Sequence, residues 1–440
     1  MRDLLLRPLP LRRLAQGFLF LPLVISCTGA VTAVASYYLD SGGLGERWFG
    51  SSGFFEVDAD GARSLLSTIA GASMTVLSLV YSMTLLVFTL AASSLGPRLL
   101  ETFIDNRVNQ ITIGILGAVF LHSVIALFAA APEATPSISA GVAVVMAIVG
   151  FFWVAYFVND AAHRVMIDHQ IGRTEKQLRR QIQAMLEAAE EGRPAAPVPE
   201  GEGRPVAARR SGYVTHIDVS RLIALAQEAE AFVELAVAPG DFVFEGLPLA
   251  RVVAEEGRLE ADALRAVFWI RNSRAPEGDL LFSIHLMVEI AVRALSPGIN
   301  DVYTAIGAMD HLSASLNLFL ERGEPSPLRL DEGGRPRLRL KVLTAGEVLD
   351  TALAPLRRAA QRNVEVTVRL ALILERLAAT SDADHLPALR HQLKLLSNAA
   401  QQSFTLAEDR RAVAAAVAGT RAAFAAAAAD QAPTAAAGSC

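Results

Sequence analysis

Residues 64–95 read SLLSTIAGASMTVLSLVYSMTLLVFTLAASSL, an apolar run of 32 residues that contains no charged side chain. An α-helix rises about 1.5 Å per residue, so a helix of this length extends about 48 Å, which is more than the ~30 Å hydrocarbon core of a bilayer. We therefore predict a transmembrane helix that is tilted or that projects beyond the membrane.

Three further apolar segments are long enough to cross a membrane. Together with the first they predict spans at about residues 16–39, 64–95, 111–131 and 138–158. Hydrophobic residues make up 52% of the chain, and nearly all the long apolar runs precede Val158. The predicted fold class is an integral membrane protein: a four-helix transmembrane domain followed by a mixed α+β cytoplasmic region.

Charge on the connecting segments predicts the orientation. Four arginines precede the first span, and a basic segment follows the fourth, whereas the connector 40–63 has five acidic residues against two arginines. Because Lys and Arg favour the cytoplasmic side, both termini are expected there, in a multi-pass protein of the bacterial inner membrane with membrane lipid as a partner. The first segment resembles a signal peptide, but its apolar run is longer than a typical signal core, so we expect an uncleaved anchor; the alternative is cleavage at Ala33-Val34-Ala35.

Small and hydroxyl residues of the second span recur at spacings of three, four and seven. At about 100° per residue they fall on one side of a helix. The candidate pore-lining residues are Thr68, Gly71, Thr75, Ser78, Ser82 and Thr89, interrupted by Leu85 and Leu86. Two interpretations remain open: the stripe allows close helix packing, or it lines a hydrated pore with the leucines as a constriction.

Composition divides the rest of the chain into further regions. The predicted domains are a transmembrane domain at 1–162, a stalk helix and linker at 163–204, a small β barrel-sandwich-like domain at 205–254, a mostly helical domain at 255–430 and a disordered tail at 431–440.

The segment 211–253 alternates short predicted strands with turns, and its pattern "APGDFVFEGLPL" resembles the half-barrel repeat of biotinyl- and lipoyl-like domains. Those domains carry their cofactor on a lysine in an exposed hairpin. The corresponding stretch here, Gln227–Ala231, contains no lysine. The resemblance therefore implies the shape of that domain without its prosthetic group, and we expect no cofactor.

The densest polar motif is Arg293-Ala-Leu-Ser-Pro-Gly-Ile-Asn300-Asp301. It lies between two predicted helices, at about 280–295 and 302–320, and Asn300 or Asp301 is suited to capping the second helix. One interpretation is a capped corner between helices. The other is a ligand pocket formed by Arg293, Asn300 and Asp301, with Arg271, Arg274 and Asp279 as further candidates.

Three separated segments resemble one known family in the same order: YSMTLLVFTLAASSLGPRLLETFIDNRVNQ, SGYVTHID…APGDFVFEGLPL and RALSPGIND. That family consists of uncharacterised, predicted bacterial membrane proteins and is named only as a domain of unknown function. The resemblance covers most of the chain, from the first span to about Leu320. It implies the membrane topology and supplies no activity.

Several function classes find no support in the sequence. It contains no phosphate-binding loop, no metal-ligand spacing and no nucleophile elbow, so we expect neither an enzyme nor a metal site. With 40 basic and 45 acidic residues, it carries no excess of positive charge that would indicate a nucleic-acid partner. The leading hypothesis is a homo-oligomeric channel-like or transport assembly with a cytoplasmic regulatory domain; the alternative is a membrane-anchored sensor or scaffold.

Overall fold

The structure is a computed structural model. It describes residues 19–42, 58–95, 107–129, 136–165, 167–187, 196–199, 201, 203–254, 258–275, 278–322 and 324–430. The chain divides into two compact units, Met1–His169 and Gln170–Cys440. The tail predicted at 431–440 lies outside the described residues.

The described part of the first unit contains four long helices, which are α1 (Phe20–Ser41), α2 (Ala59–Leu95), α3 (Arg107–Ala129) and α4 (Ser137–Val165). Each covers one of the four apolar segments that the sequence singles out. Helix α3 packs against the other three and is the most buried of them. Its buried residues include Ile113, Leu116 and Val119, so α3 forms the centre of the unit.

The second unit begins with a strongly amphipathic helix, α5 (Ile167–Glu187). Its apolar residues Ile171, Leu178 and Ile182 are buried, as the helical spacing of three to four predicts. The Glu175 carboxylate lies within hydrogen-bond distance of the His311 ring, which connects α5 to a later helix of the same unit.

Short strands and helices alternate after α5. They are β1 (Arg204–Ala207), β2 (Gly212–Ile217), α6 (Val219–Glu228), β3 (Phe232–Leu235), β4 (Phe242–Val243), β5 (Pro248–Val253), α7 (Ala261–Arg265) and β6 (Phe268–Arg271). Asp218 accepts a hydrogen bond from the Arg221 backbone N–H at 2.9 Å and so caps α6, as expected for a carboxylate at this position.

The remainder of the unit is mostly helical. Its elements are α8 (Leu280–Ala294), α9 (Val302–Arg322), β7 (Leu328–Leu330), β8 (Pro336–Arg339), α10 (Ala345–Ala359), α11 (Val364–Thr380), α12 (Leu386–Ser403) and α13 (Ala407–Asp430). Single turns of 3₁₀-helix at Ala360–Arg362 and Ala383–His385 precede α11 and α12. The alanine-rich end of the chain is therefore helical as far as Asp430.

Two sheets are built from strands that are far apart in sequence. One has the order β1-β5-β3-β8-β7, in which only β3 and β8 are parallel, and the other has the order β4-β2-β6 with antiparallel pairs. Strands β6, β7 and β8 follow residue 254, so both sheets recruit residues beyond the segment 205–254. The side chains of the two sheets share one core with α6, in which Val214, Leu222 and Val233 are fully buried.

By length and composition, five described helices could cross a membrane. Four of them are α1 to α4, and the fifth comprises Ala407–Ala429 of α13. The apolar pattern predicts the first four as spans, and the fifth segment is not among them.

Candidate functional site

The hydroxyl stripe of α2, defined as Thr68, Gly71, Thr75, Ser78, Ser82 and Thr89, lies on the exposed face of the helix. Leu85 and Leu86 are exposed as well, at 66% and 58%. The opposite face of α2 is the packed one, where Leu66, Ala70 and Val80 are buried. Among the described helices of one chain, the stripe therefore takes no part in packing.

Four hydroxyls of the stripe donate hydrogen bonds to backbone carbonyls of α2 itself. Thr68 donates to the Ser64 carbonyl at 2.8 Å, and Thr75 donates to the Gly71 carbonyl at 2.9 Å. Ser82 and Thr89 repeat the pattern four residues back, at 3.0 and 2.8 Å. Because these protons are directed at the helix backbone, the oxygen lone pairs are the part of each hydroxyl that remains for an outside partner.

Close packing through small residues occurs instead between α1 and α3. A Cβ atom added to Gly29 would lie 2.1 Å from the Ala118 carbonyl oxygen, and one added to Gly117 would lie 2.3 Å from the Ser26 hydroxyl. A Cβ atom added to Gly114 would likewise come too close to the Ile25 side chain. These residues are not among the predicted site residues, although Gly114 and Ala118 form the small-xxx-small spacing typical of close membrane helix contacts.

A buried polar network joins α1, α3 and α4. The Asp40 carboxylate caps α4: it accepts the backbone N–H groups of Ile138 and Ser139 at 2.8 and 3.1 Å, and the Ser139 hydroxyl at 2.7 Å. The fully buried His122 ring contacts the Ser139 carbonyl through Nε2 and the Thr32 hydroxyl through Nδ1, both at 3.1 Å. Nothing local in the sequence links His122 to Asp40, because 82 residues separate them.

The motif 293–301 forms a tight corner between α8 and α9. Asp301 caps α9 by accepting the Thr304 backbone N–H at 3.0 Å and the Thr304 hydroxyl at 2.6 Å. Both hydrogen bonds stabilise the ionised carboxylate, and the bond from the Thr304 hydroxyl contributes most. They hold the pKa of Asp301 below its usual value. Asn300 has a φ of 48°, in the left-handed region that asparagine tolerates better than most residues.

The corner brings Asn300 and Asp301 together in one turn, while Arg293 is half-buried on the last turn of α8. The most exposed apolar and aromatic side chains at this corner are those of Ile299, at 48%, and Tyr303, at 86%. Spacing alone did not reveal this exposure, since both residues lie beside a predicted helix start.

The chain matches, over residues 15–376, the family described as "Predicted membrane protein (DUF2254)". This chain belongs to that family. The matched region includes the hydroxyl stripe, the His122 network and the 293–301 corner, and it ends before α12 and α13. The family resemblance carried by the three motifs is thereby confirmed.

Similar proteins carry no description of activity. An uncharacterised protein of Mycobacterium bovis and one of Mycobacterium tuberculosis are each 28% identical to this DUF2254 chain over 368 residues, covering 80% of this chain and 70% of theirs. No solved structure matches the chain. The comparisons therefore show a predicted membrane protein of an uncharacterised family.

Proposed function

We propose that this protein forms a homo-oligomeric, channel-like assembly in the bacterial inner membrane, with copies of α2 surrounding a hydrated path. The observation that supports this proposal is the outward position of the hydroxyl stripe on a helix whose other face is packed. Polar groups within membrane segments usually face a water-filled cavity or another helix. A second copy of the chain would supply either the water-filled cavity or the neighbouring helix.

The contrast with α4 strengthens the argument. Between positions 145 and 155 the exposed side chains of α4 are all apolar, and they include Val145, Ile148, Phe151 and Phe152. Such a face suits contact with lipid. The exposed face of α2 also carries large apolar side chains, among them Met74 and Leu79, but it adds a run of hydroxyls that this part of α4 lacks. We therefore assign α2 to the axis of the assembly and α4 to its periphery.

Leu85 and Leu86 are the candidates for a gate. Both side chains project from the exposed face of α2 next to the hydroxyl stripe. A ring of leucines in an otherwise hydroxyl-lined path can exclude water when it narrows. In this proposal the constriction lies between the Ser82 and Thr89 levels.

The polar groups on this face favour cations. Four hydroxyls of the stripe present oxygen lone pairs, because their protons are donated to the helix. Asp60 lies four residues before Ser64 and so on the same face, with its side chain 91% exposed. Copies of Asp60 would form a carboxylate ring at one mouth, a common device of cation channels.

The charge distribution supports the proposed orientation of the chain in the membrane. Both termini are placed in the cytoplasm by the positive-inside rule, and residues 170–440 then form a cytoplasmic regulatory region. The assembly is proposed to act without catalysis and without nucleic acid.

A membrane-anchored sensor or scaffold is the second candidate function. It is favoured by the exposure of Ile299 and Tyr303 on the 293–301 corner, which offers an apolar and aromatic contact for a partner. In that case Tyr303→Ala would abolish partner capture, whereas ion flux through the purified protein would be absent.

The test of the channel proposal is potassium flux in liposomes that contain the purified full-length protein. We expect flux in the wild type, and an increase in Leu85→Ser, because a hydroxyl at the constriction favours hydration. Val145→Ser on the exposed face of α4 is the matched control and should leave the flux unchanged.

Two results would contradict the proposal. One is the absence of flux across a range of salts and voltages in both the wild type and Leu85→Ser. The other is a particle in detergent, seen by cryo-electron microscopy, that is monomeric or that buries the Thr75 and Ser78 level in a dry helix contact.

A further inference from the structure

The two helices at the end of the second unit enclose an open groove that lies outside the family match. The cavity has a volume of about 600 Å³ and is lined mainly by Arg390, Lys394 and Asn398 of α12 and by Arg421 of α13, with Leu393 and Phe424 at its base. This volume falls within the ~300–1,000 Å³ typical of small-molecule sites.

The polar side chains of the groove are arranged in two rows. Arg390, Lys394 and Asn398 follow one another at intervals of four residues, so they lie one helical turn apart on the same face of α12. Arg421 faces them from α13. The Arg390 guanidinium also donates to the Phe424 carbonyl at 3.3 Å, which fixes it against α13.

The positive charge of the groove is not neutralised within the described part of the chain. No described carboxylate forms a salt bridge with Arg390, Lys394 or Arg421. Like charges four residues apart destabilise a helix by about 0.2–0.5 kcal/mol, so Arg390 and Lys394 repel each other unless an anion lies between them. The arrangement therefore favours a bound anion over an empty groove.

We propose that this groove binds a soluble anion that carries two linked phosphate groups. Three cations require about three negative charges, which two phosphates supply and a single carboxylate does not. The guanidinium groups offer paired N–H donors that match phosphate oxygens, Lys394 adds a point charge, and the Asn398 amide adds a neutral donor. The buried Phe424 and Leu393 provide an apolar base for an attached organic group.

The test is isothermal titration of the full-length protein in detergent with inorganic pyrophosphate as the probe. We expect saturable binding at low ionic strength that weakens as salt is added, because the cations are exposed to solvent. Arg421→Gln and Lys394→Gln should each weaken binding about tenfold or more, since each removes a charge-assisted hydrogen bond.

Arg358→Gln on α10 is the matched control. Arg358 is exposed in the same unit and has no salt bridge in the described part of the chain, so its loss should not change the affinity. Far-ultraviolet circular dichroism of each variant confirms that the helices are retained.

Three outcomes would overturn the proposal. The first is no binding of pyrophosphate, and the second is equal weakening by Arg358→Gln and Arg421→Gln. The third is binding only to vesicles that contain phosphatidylglycerol, with no response to pyrophosphate, which would assign the groove to a lipid headgroup instead of a soluble anion.

Discussion

At the scale of single residues, Gly29 shows how closely α1 and α3 approach each other. A methyl group there would meet the Ala118 backbone, which cannot move aside as a side chain can. We expect Gly29→Ala to destabilise the first unit by about 1–3 kcal/mol, the usual cost of overpacking. A lower midpoint of thermal unfolding in detergent checks this.

Gly71 provides the control for that measurement. It also lies within a long helix, but a Cβ atom there would have nothing within 4 Å. Gly71→Ala should leave the midpoint unchanged or raise it slightly, because alanine favours helix. Equal losses in the two variants would show that the α1–α3 approach is not responsible.

Asp301 allows a prediction about pH. Its pKa is lowered in the folded protein by the hydrogen bonds from Thr304, so its contribution to stability is complete above the unfolded pKa of about 3.9. That contribution is lost as the pH falls through the lower folded pKa. Asp301→Ala should cost about 0.5–2 kcal/mol at pH 7, as for other helix caps.

The measurement is the difference in unfolding midpoint between the wild type and Asp301→Ala at pH 7 and again near pH 3. The difference should shrink at the lower pH, because protonation removes the same carboxylate from the wild type. A difference that stays constant would show that the cap does not act through its charge.

At the scale of elements, the exposed face of α2 predicts ion selectivity. The formal negative charge of this face is that of Asp60, in the first turn of α2. The Arg63 guanidinium, 3.3 Å from the Asp60 carboxylate, partly offsets this charge. If the channel proposal holds, Asp60→Asn should lower the cation-to-anion permeability ratio, measured as a smaller reversal potential in a potassium chloride gradient. Asp384→Asn, an exposed change in the second unit, should have no effect.

Local sequence patterns predicted the long helices, but they missed the strands β6, β7 and β8 and did not predict how the elements pack. The helices α8 and α9 and their corner follow from apolar spacing and from Asp301, which both act over a few residues. Periodicity also identified which residues of α2 share a face. It could not tell which face packs inward, because that depends on α3, where Asn109 bonds to Thr84 at 3.1 Å.

At the scale of the whole molecule, the contacts that sequence could not predict are those between distant segments. Val233 of β3 pairs with Leu338 of β8, and Asp40 caps α4 at Ser139. Each contact joins residues about 100 positions apart, so no local pattern records it. Composition alone predicts a domain boundary at residue 254, whereas both sheets extend beyond it.

The second unit contains a buried ion pair that joins its two parts. Arg274 donates to both Asp279 carboxylate oxygens at 2.8 and 2.9 Å, and Asp279 also caps α8 through the Phe282 N–H. Gly240, at the turn before β4, lies directly against this carboxylate, and a Cβ there would be 2.4 Å from its oxygen. The strand-rich part therefore rests on the capped start of α8.

Removal of Arg274 would leave the Asp279 carboxylate buried, with only 3% of its side chain exposed and no cation beside it. We expect Arg274→Ala to destabilise the second unit by about 3–5 kcal/mol, the usual cost of breaking a buried pair. Hydrogen exchange should become faster throughout α8. Arg209→Ala breaks an ion pair whose side chains are 69% and 61% exposed, so it should cost only about 0–1 kcal/mol. If the two variants exchange alike, the ion pair is not what holds the turn of Gly240 to α8, and the apolar core shared by the sheets must do so without it.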